Sequence, residues 1–346
     1  YNPEIAYTEK PMEFGFINAI LRSRSFPPND PWLSGYAISY YYFGYVLVAM
    51  LTRLTGLSSA VTFNLAGATL FALTVAGSFS LVYNLAQARL PRLLTSKALL
   101  RPPEVLAGLL GATLVALMGN LEGIFEMVRV RGWGSPALWR WLDIKNLWGG
   151  PPTGGWIPND SWWWWRASRI LHDRDPSGAS MEVISEFPFF SFLLGDNHPH
   201  VLALPFVLLA LALALAFWLR PLDEEAPKDS RWRAWLYQVG VPAPWELLLW
   251  GLILGGLGFL NTWDYPIYLA IMALVGAMRR YRRLPQGVGW LQDALLLGGA
   301  LLALGLVLYA PFYISFRSQA GGIGWLGTIK TQWQQYLLMF GPFIVA

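Results

Sequence analysis

The sequence predicts an all-α, polytopic transmembrane protein, and three observations carry that prediction. Of its 346 residues, 55% are hydrophobic and only 13% are charged, about half the roughly 25% of a soluble domain. The charges are bunched, leaving uncharged apolar stretches close to the ~20 residues a helix needs to cross ~30 Å of hydrocarbon. No stretch alternates with period two, which excludes an outer-membrane barrel.

Taken in order, the stretches run from Pro31 to Thr52, Leu54 to Ala88, Val105 to Leu121, Asn197 to Leu219, Leu247 to Trp263, Tyr265 to Met278, Ala294 to Phe316 and Thr331 to Ala346. They make about eight membrane segments between residues 38 and 346 of one membrane domain. A first outer loop covers residues 1–37 and a large Trp-rich outer loop covers 120–200. The chain starts at Tyr1 and its last stretch stops at Ala346 without a flanking charge, which points to a piece of a longer polypeptide. No secretory signal is visible.

Basic loops orient the segments, because Lys and Arg near span ends stay in the cytoplasm. Arg89, Arg92, Lys97 and Arg101 follow the second stretch, Arg220, Lys228, Arg231 and Arg233 follow the fourth, and Arg279, Arg280, Arg282 and Arg283 precede the seventh. Two short crossings then fit between Leu247 and Met278, with the turn Asn261-Thr-Trp-Asp-Tyr-Pro266 outside and Pro266 supplying the break. Glu122 to Asp196 and the Gly-rich piece from Arg317 to Lys330 also come out external.

The N-terminal segment conflicts with this count. Three simple crossings before Glu122 place residues 1–30 on the opposite side from the large loop. Either the stretch from Leu54 to Ala88, about 52 Å as one helix, is a hairpin or partly re-entrant, or a half-inserted helix lies inside the large loop. That loop holds nine of the nineteen tryptophans, a bias that marks headgroup depth, and it contains an amphipathic piece from Pro136 to Trp148.

Several chemistries drop out. The net charge is only +4 with no sustained basic block, so no nucleic-acid partner is expected. There is no cysteine, so any metal site is built from Asp, Glu, His and carbonyls. No GxxxxGK[ST], GxGxxG, HExxH or G-x-S-x-G motif is present, which argues against nucleotide-driven or serine-nucleophile chemistry.

Three polar clusters remain. The first comprises Glu9, Glu13 and Asp30, acids placed before the first stretch. Its plainer reading is that Glu9 or Glu13 caps a short interfacial helix ending near Arg22 and Arg24. The second is Asp196-x-His198-x-His200, where Pro199 disfavours helix and an extended chain puts alternate residues on one side, facing one metal ion or phosphate. Here the alternative is a capped helix start. The third is Asn159-Asp160-Ser161 followed by Trp162-Trp-Trp-Trp-Arg-Ala-Ser-Arg169, with Arg166 and Arg169 three apart on one helical face, suited to a lipid phosphate or to bulk headgroups. Asp264 interrupts an apolar run, and Glu186 precedes Phe187-Pro-Phe-Phe; each is either functional or a turn residue.

Glu9-Lys-Pro-Met-Glu13, Pro27-Pro-Asn-Asp-Pro-Trp32, Tyr40-Tyr-Tyr-Phe-Gly-Tyr45, Trp162-Trp-Trp-Trp-Arg-Ala-Ser-Arg169, Glu186-Phe-Pro-Phe-Phe and Gly195-Asp-Asn-His-Pro-His200 together resemble the prokaryotic "YYY" membrane-protein family. That family is more distantly similar to GT-C glycosyltransferases such as protein O-mannosyltransferases, whose first outer loop carries an Asp-Glu pair, Phe-Gly and a later Asp near prolines. The chain departs from that pattern at Thr8, where the first acid of the pair is expected. The resemblance implies a GT-C-like fold in the plasma membrane, surrounded by membrane lipids, that transfers sugar from a polyprenyl-phosphate donor at the outer face. It implies Glu9, Glu13 or Asp30 as base, Arg166, Arg169, His198 and His200 on the donor phosphate, and Asp196, His198 and His200 around a divalent ion, Mg or Mn. A transporter or lipid-handling protein, or a non-catalytic structural subunit, fits the same outline.

Overall fold

A computed structural model describes residues 3–89, 102–147, 152–221, 243–283, 289–317 and 329–345. The basic positions Arg92, Lys97, Arg101, Lys228, Arg231 and Arg233 lie outside them, as does most of the Gly-rich piece after Arg317. The contacts divide the chain into two compact units. One holds Pro3–Gly111 and Asp196–Gln319, the other Ala112–Gly195 and the C-terminal stretch from Ala320.

The first unit is a helical bundle. Its elements are α1 (Lys10–Arg22), α2 (Phe43–Thr55), α3 (Ser59–Arg89), most of α4 (Pro102–Ala116), α8 (Pro199–Leu219), α9 (Pro244–Leu260), α10 (Asp264–Arg283), α11 (Gly289–Leu308) and the short α12 (Ala310–Ser315). Helices α3, α8 and α11 are long and apolar enough to cross a membrane; α2, α4 and α9 are shorter apolar helices. Two expectations change here. The stretch from Leu54 to Ala88 is neither hairpin nor re-entrant: α3 is one helix of 31 residues, in which Gly77 is set against Leu208. The stretch from Pro31 to Thr52 is not one long helix. Only its second half is helical, and the 13 residues of α2 span about 20 Å, too short for ~30 Å of hydrocarbon.

Where α2 lies follows from its partners. Tyr42 packs edge-on against Phe259 at 4.7 Å, near the C-terminal end of α9, and Thr52 shares a 2.6 Å hydrogen bond with Thr62 near the start of α3. Helices α3 and α8 run in the same direction, since Asn197 Nδ2 donates to the Phe63 carbonyl at 3.0 Å and Gly77 meets Leu208 farther along. Both therefore lead away from α1 and α2 toward basic segments.

The far end is closed by charge. Arg220 forms a bidentate pair with Glu246, both contacts 2.8 Å. Arg279 donates to the carbonyls of Trp218 and Arg220 at 3.0 and 2.8 Å, filling acceptors that a helix C-terminus leaves open. Arg280 pairs with Asp293 at 2.8 Å. Arg220, Arg279 and Arg280 thus share one end of the bundle.

Close packing of α9, α10 and α11 depends on glycine. A Cβ on Gly255 would lie 2.7 Å from the Gly305 Cα, so backbones approach there as small residues allow in apolar surroundings. The Tyr265 hydroxyl donates to the Leu301 carbonyl at 3.0 Å. Pro266 does not break the chain as expected: it sits in the first turn of α10, where the missing N–H costs nothing, and the reversal falls on Asn261 to Trp263.

The second unit contains α5 (Glu122–Val130), α6 (Pro136–Leu142), a 3-10 turn (Trp163–Ser168), an antiparallel pair β1 (His172–Arg174) and β2 (Ser180–Glu182), α7 (Pro188–Leu194) and α13 (Trp333–Val345). Its core gathers Trp139, Leu142, Ile144, Leu147, Ile170 and Leu338. The amphipathic piece expected from Pro136 to Trp148 is helical only through Leu142, and the Ser135 hydroxyl caps it by accepting from the Leu138 N–H at 3.2 Å.

Candidate functional site

Helix α1 owes its position to its apolar face and to polar pins. Phe16, Ile17 and Ile20 are buried, Asn18 accepts from the Ser59 hydroxyl at 2.9 Å, and Arg53 donates to the Leu21 carbonyl at 2.6 Å. This seating carries the first turn of α1 to the start of α8. Glu9 occupies the N-cap position but makes no side-chain cap bond, so the simple capping role is not what its carboxylate does.

Glu9, Glu13 and His198 converge there. Glu13 is fully buried; one oxygen accepts the Asn197 N–H at 2.7 Å and the other lies 3.1 Å from His198 Nδ1. His198 Nε2 faces the Glu9 carboxylate at 3.3 Å, and that carboxylate is half exposed. Residues at the beginning of the chain and at the start of α8 therefore meet directly. Counting three crossings set residues 1–30 apart from the end of the large loop; the bond from the Asn197 N–H to Glu13 brings the two to one end of the bundle.

The charges reinforce one another. Burial works against an ionised His198, but the hydrogen bond to Glu13 and the charges of Glu9 and Asp196 outweigh it and raise its pKa to about 9, so an imidazolium sits between two carboxylates. Lys10, only 2% exposed, is lowered by burial against the pull of Asp196, Glu13 and Glu4, and its Nζ donates to the Glu4 carbonyl at 3.4 Å. Burial and the neighbouring Glu9 and Glu13 raise the Tyr40 hydroxyl. The Tyr45 side chain, 0% exposed, has a hydroxyl without a hydrogen-bond partner among the described residues.

Among the described residues, ligand atoms of Glu9, Glu13 and His198 lie within 4.8 Å of one another, a hard oxygen set with one imidazole that suits a divalent cation. This is not the expected trio of Asp196, His198 and His200. Extended backbone ends at His198, the N-cap of α8, and His200 enters the helix; its ring packs beside that of His198, centres 5.2 Å apart, while Glu9 and Glu13 take the His198 nitrogens. Asp196 is buried beside the cluster and contributes charge.

The other expected residues fall elsewhere. Asp30 turns its own loop: Oδ1 accepts from the N–H groups of Trp32 and Leu33, both at 2.8 Å, an Asx turn. Asp264 starts α10 and accepts from Asn261 Nδ2 at 3.1 Å. Arg166, Arg169, Asp160 and Glu186 belong to the second unit. Asp160 caps the 3-10 turn by accepting from the Trp162 N–H at 3.0 Å. Arg166 bonds Glu126 and, at 3.1 Å, Asp160, while Arg169 pairs with Glu182 at 3.3 Å and lies over the Trp165 ring at 4.9 Å. Both guanidiniums are already matched by acids. Glu186 is half buried ahead of α7.

Lys10, Asn197 and Tyr45 stand inside the quoted motifs without a site role of their own, and Glu122 and Glu126 were not singled out by sequence. The four-residue spacing of Glu9 and Glu13 around Lys10 was the one signal on hand for Lys10. The other four sit in apolar or capping contexts.

Apolar bundle and charged cluster together define a multi-pass membrane protein with a polar site at one end of its helices. The chain matches, over residues 1–346, the family described as "Uncharacterized membrane protein (DUF2298)", and it belongs to that family. No curated protein and no solved structure matches it.

Proposed function

We propose that the protein is a GT-C-type membrane glycosyltransferase that moves a sugar from a polyprenyl-phosphate donor to a hydroxyl at the outer membrane face. The observation supporting this reading is the Glu9–His198–Glu13 cluster at the end of the bundle where α3 and α8 begin. The half-exposed Glu9 carboxylate takes the acceptor proton as the acceptor oxygen bonds to the anomeric carbon. The bond from that carbon to the phosphate oxygen breaks, and its electron pair leaves on the lipid phosphate. The His198 imidazolium and Lys10 offset that charge. Glu13, its oxygens engaged by Asn197 and His198, positions the imidazolium. Glu9, Glu13 and His198 are also the residues that would hold a divalent ion, Mg or Mn; His198 would then be neutral, and the ion would supply the positive charge in place of the imidazolium.

Washed membranes supplied with a radiolabelled polyprenyl-phosphate sugar test the reading. Transfer is expected in the native protein and a loss of about 100-fold or more in Glu9→Gln, the scale of a removed general base. Full transfer by Glu9→Gln, or none by the native protein, overturns it.

A further inference from the structure

In the second unit a cavity of about 350 Å3 opens where α5 ends and α6 follows, within the ~300–1,000 Å3 range of small-molecule sites. Arg129 of α5 and Arg140 of α6 line it with Trp133, Trp139 and Pro152, and among the described residues no carboxylate does. Backbone fixes its walls. Gly132 and Gly134 take positive φ, +75° and +87°, and a Cβ on Gly134 would lie 2.8 Å from the Trp139 ring, so the turn after α5 closes directly on that indole. The Arg131 guanidinium donates to the Gly154 carbonyl at 2.9 Å, and the Gly154 N–H donates to the Val130 carbonyl at 2.8 Å, which holds the segment carrying Pro152 in place.

Arginines near a helix C-terminus commonly cap its open carbonyls, but in α5 that task is already done. The carbonyls of Met127, Val128, Arg129 and Val130 each accept a backbone N–H, from Arg131, Trp133, Gly132 and Gly154. Arg129 is half-buried with its guanidinium 6.0 Å over the Trp139 ring. Arg140 is exposed and, among the described residues, makes no hydrogen bond, ion pair or ring contact. Trp133 meets Trp156 edge-on at 6.2 Å; the two are 53% and 59% exposed, and Arg131 lies over both rings at 5.5 and 4.4 Å. Exposed indoles beside guanidiniums mark headgroup depth.

We infer that this cavity binds a phosphate group, with the Arg129 and Arg140 guanidiniums on its oxygens and the indoles against the carbon skeleton that carries it. A cation is repelled by the two guanidiniums, and a neutral apolar molecule desolvates them without giving them acceptors. A carboxylate offers two oxygens, enough for one guanidinium fork, whereas a phosphate has acceptors for both. The phosphate comes from a lipid headgroup or from a soluble ester, and the exposed indoles favour the headgroup.

The site stands apart from the transfer reading and is tested by binding to the full chain, delipidated in a nonionic detergent. Dioctanoyl phosphatidylglycerol is the lipid probe, and inorganic phosphate and glycerol phosphate are the soluble ones. Dioctanoylglycerol and octanoate are controls, the first with the chains and no phosphate, the second with a carboxylate. Saturable binding of at least one phosphate probe is expected, weakened about tenfold in Arg140→Gln, the scale of one charge-assisted hydrogen bond, and abolished in Arg140→Glu. Arg174→Gln, which removes an exposed arginine outside the cavity, and Glu9→Gln should bind as the native protein does. Binding of the lipid probe without the soluble ones upholds the inference for a headgroup, and binding of the soluble probes upholds it for a free ester. No binding of any phosphate probe, binding indifferent to Arg140→Glu, an equal loss in Arg174→Gln, or equal binding of dioctanoylglycerol or octanoate overturns it.

Discussion

Glu13 and Glu122 are both fully buried glutamates in the first turn of a short helix, and their surroundings treat them differently. Glu13 receives a backbone N–H and faces an imidazolium, so its charge is matched. Glu122 faces a second acid, Glu126, and burial together with the hydrogen bond between the two side chains holds its proton on. Both gain from the helix dipole, which contributes only about 0.3–1 kcal/mol at a surface and up to ~2 when partly buried, too little to decide either case. Specific partners decide: a buried acid matched by donors becomes a fixed charge that organises other groups, whereas one set against a second acid keeps its proton.

The sharpest way to break this comparison is to remove the matched acid. Glu13→Leu leaves the Asn197 N–H and the His198 imidazolium without their acceptor, and about 3–5 kcal/mol of stability should be lost. Unfolding in micelles measures it; a loss below ~1 kcal/mol would mean that Glu13 is not organising the cluster. Next comes Arg166→Met, which strands the buried Glu126. About 2–3 kcal/mol is expected, because the guanidinium is partly exposed and its second partner, Asp160, more so.

A subtler contrast lies in pH. Glu122 binds its proton more tightly folded than unfolded, since its folded pKa is raised, so the folded state holds more protons above the ordinary Glu value of about 4.3. The stability this contributes is complete below that value and is lost as pH rises through the raised folded pKa. Glu122→Gln does not titrate. The melting temperature of the native protein should therefore fall relative to Glu122→Gln as pH rises from about 5 to about 8, and parallel curves would show that Glu122 ionises normally. The smallest effect belongs to Glu9→Gln. Its half-exposed carboxylate should cost less than ~1 kcal/mol of stability, even where transfer is lost, and a larger cost would assign Glu9 a structural role.

How far these clusters were legible in sequence differs from residue to residue. Glu9, Glu13 and His198 were all visible as polar residues bordering apolar stretches, because ionisable groups at span ends are rare enough to stand out. Their meeting was not, since Glu13 and His198 are 185 residues apart and the crossing count placed them on opposite sides. At α2 an apolar stretch of spanning length is only half helical, which the count of apolar stretches does not register. Tyr40 to Tyr42 and the residues before them form the approach to α2, and the aromatic seam from Tyr42 through Phe259 to Phe312, with Phe259 and Phe312 stacked at 4.1 Å, uses that apolar character for packing. The Arg166 and Arg169 pair was visible as a possible clamp; the acids that match the two side chains come from Glu126, 40 residues away, and from β2.

The sequence alone determined the solvent and the class. Long uncharged apolar stretches admit only helices in hydrocarbon, because every backbone N–H and C=O must be satisfied within the segment, and grouped basic residues mark one end of the bundle. The tertiary structure decided which polar residues meet. Glu9, Glu13 and His198 share a cluster because α1 is pinned on α3 and α8 begins beside it, and the buried Glu122 and Glu126 meet the Arg166 charge because α5 packs on the 3-10 turn. Such encounters depend on long-range packing and on the partners available to each buried charge, and local periodicity carries no record of either.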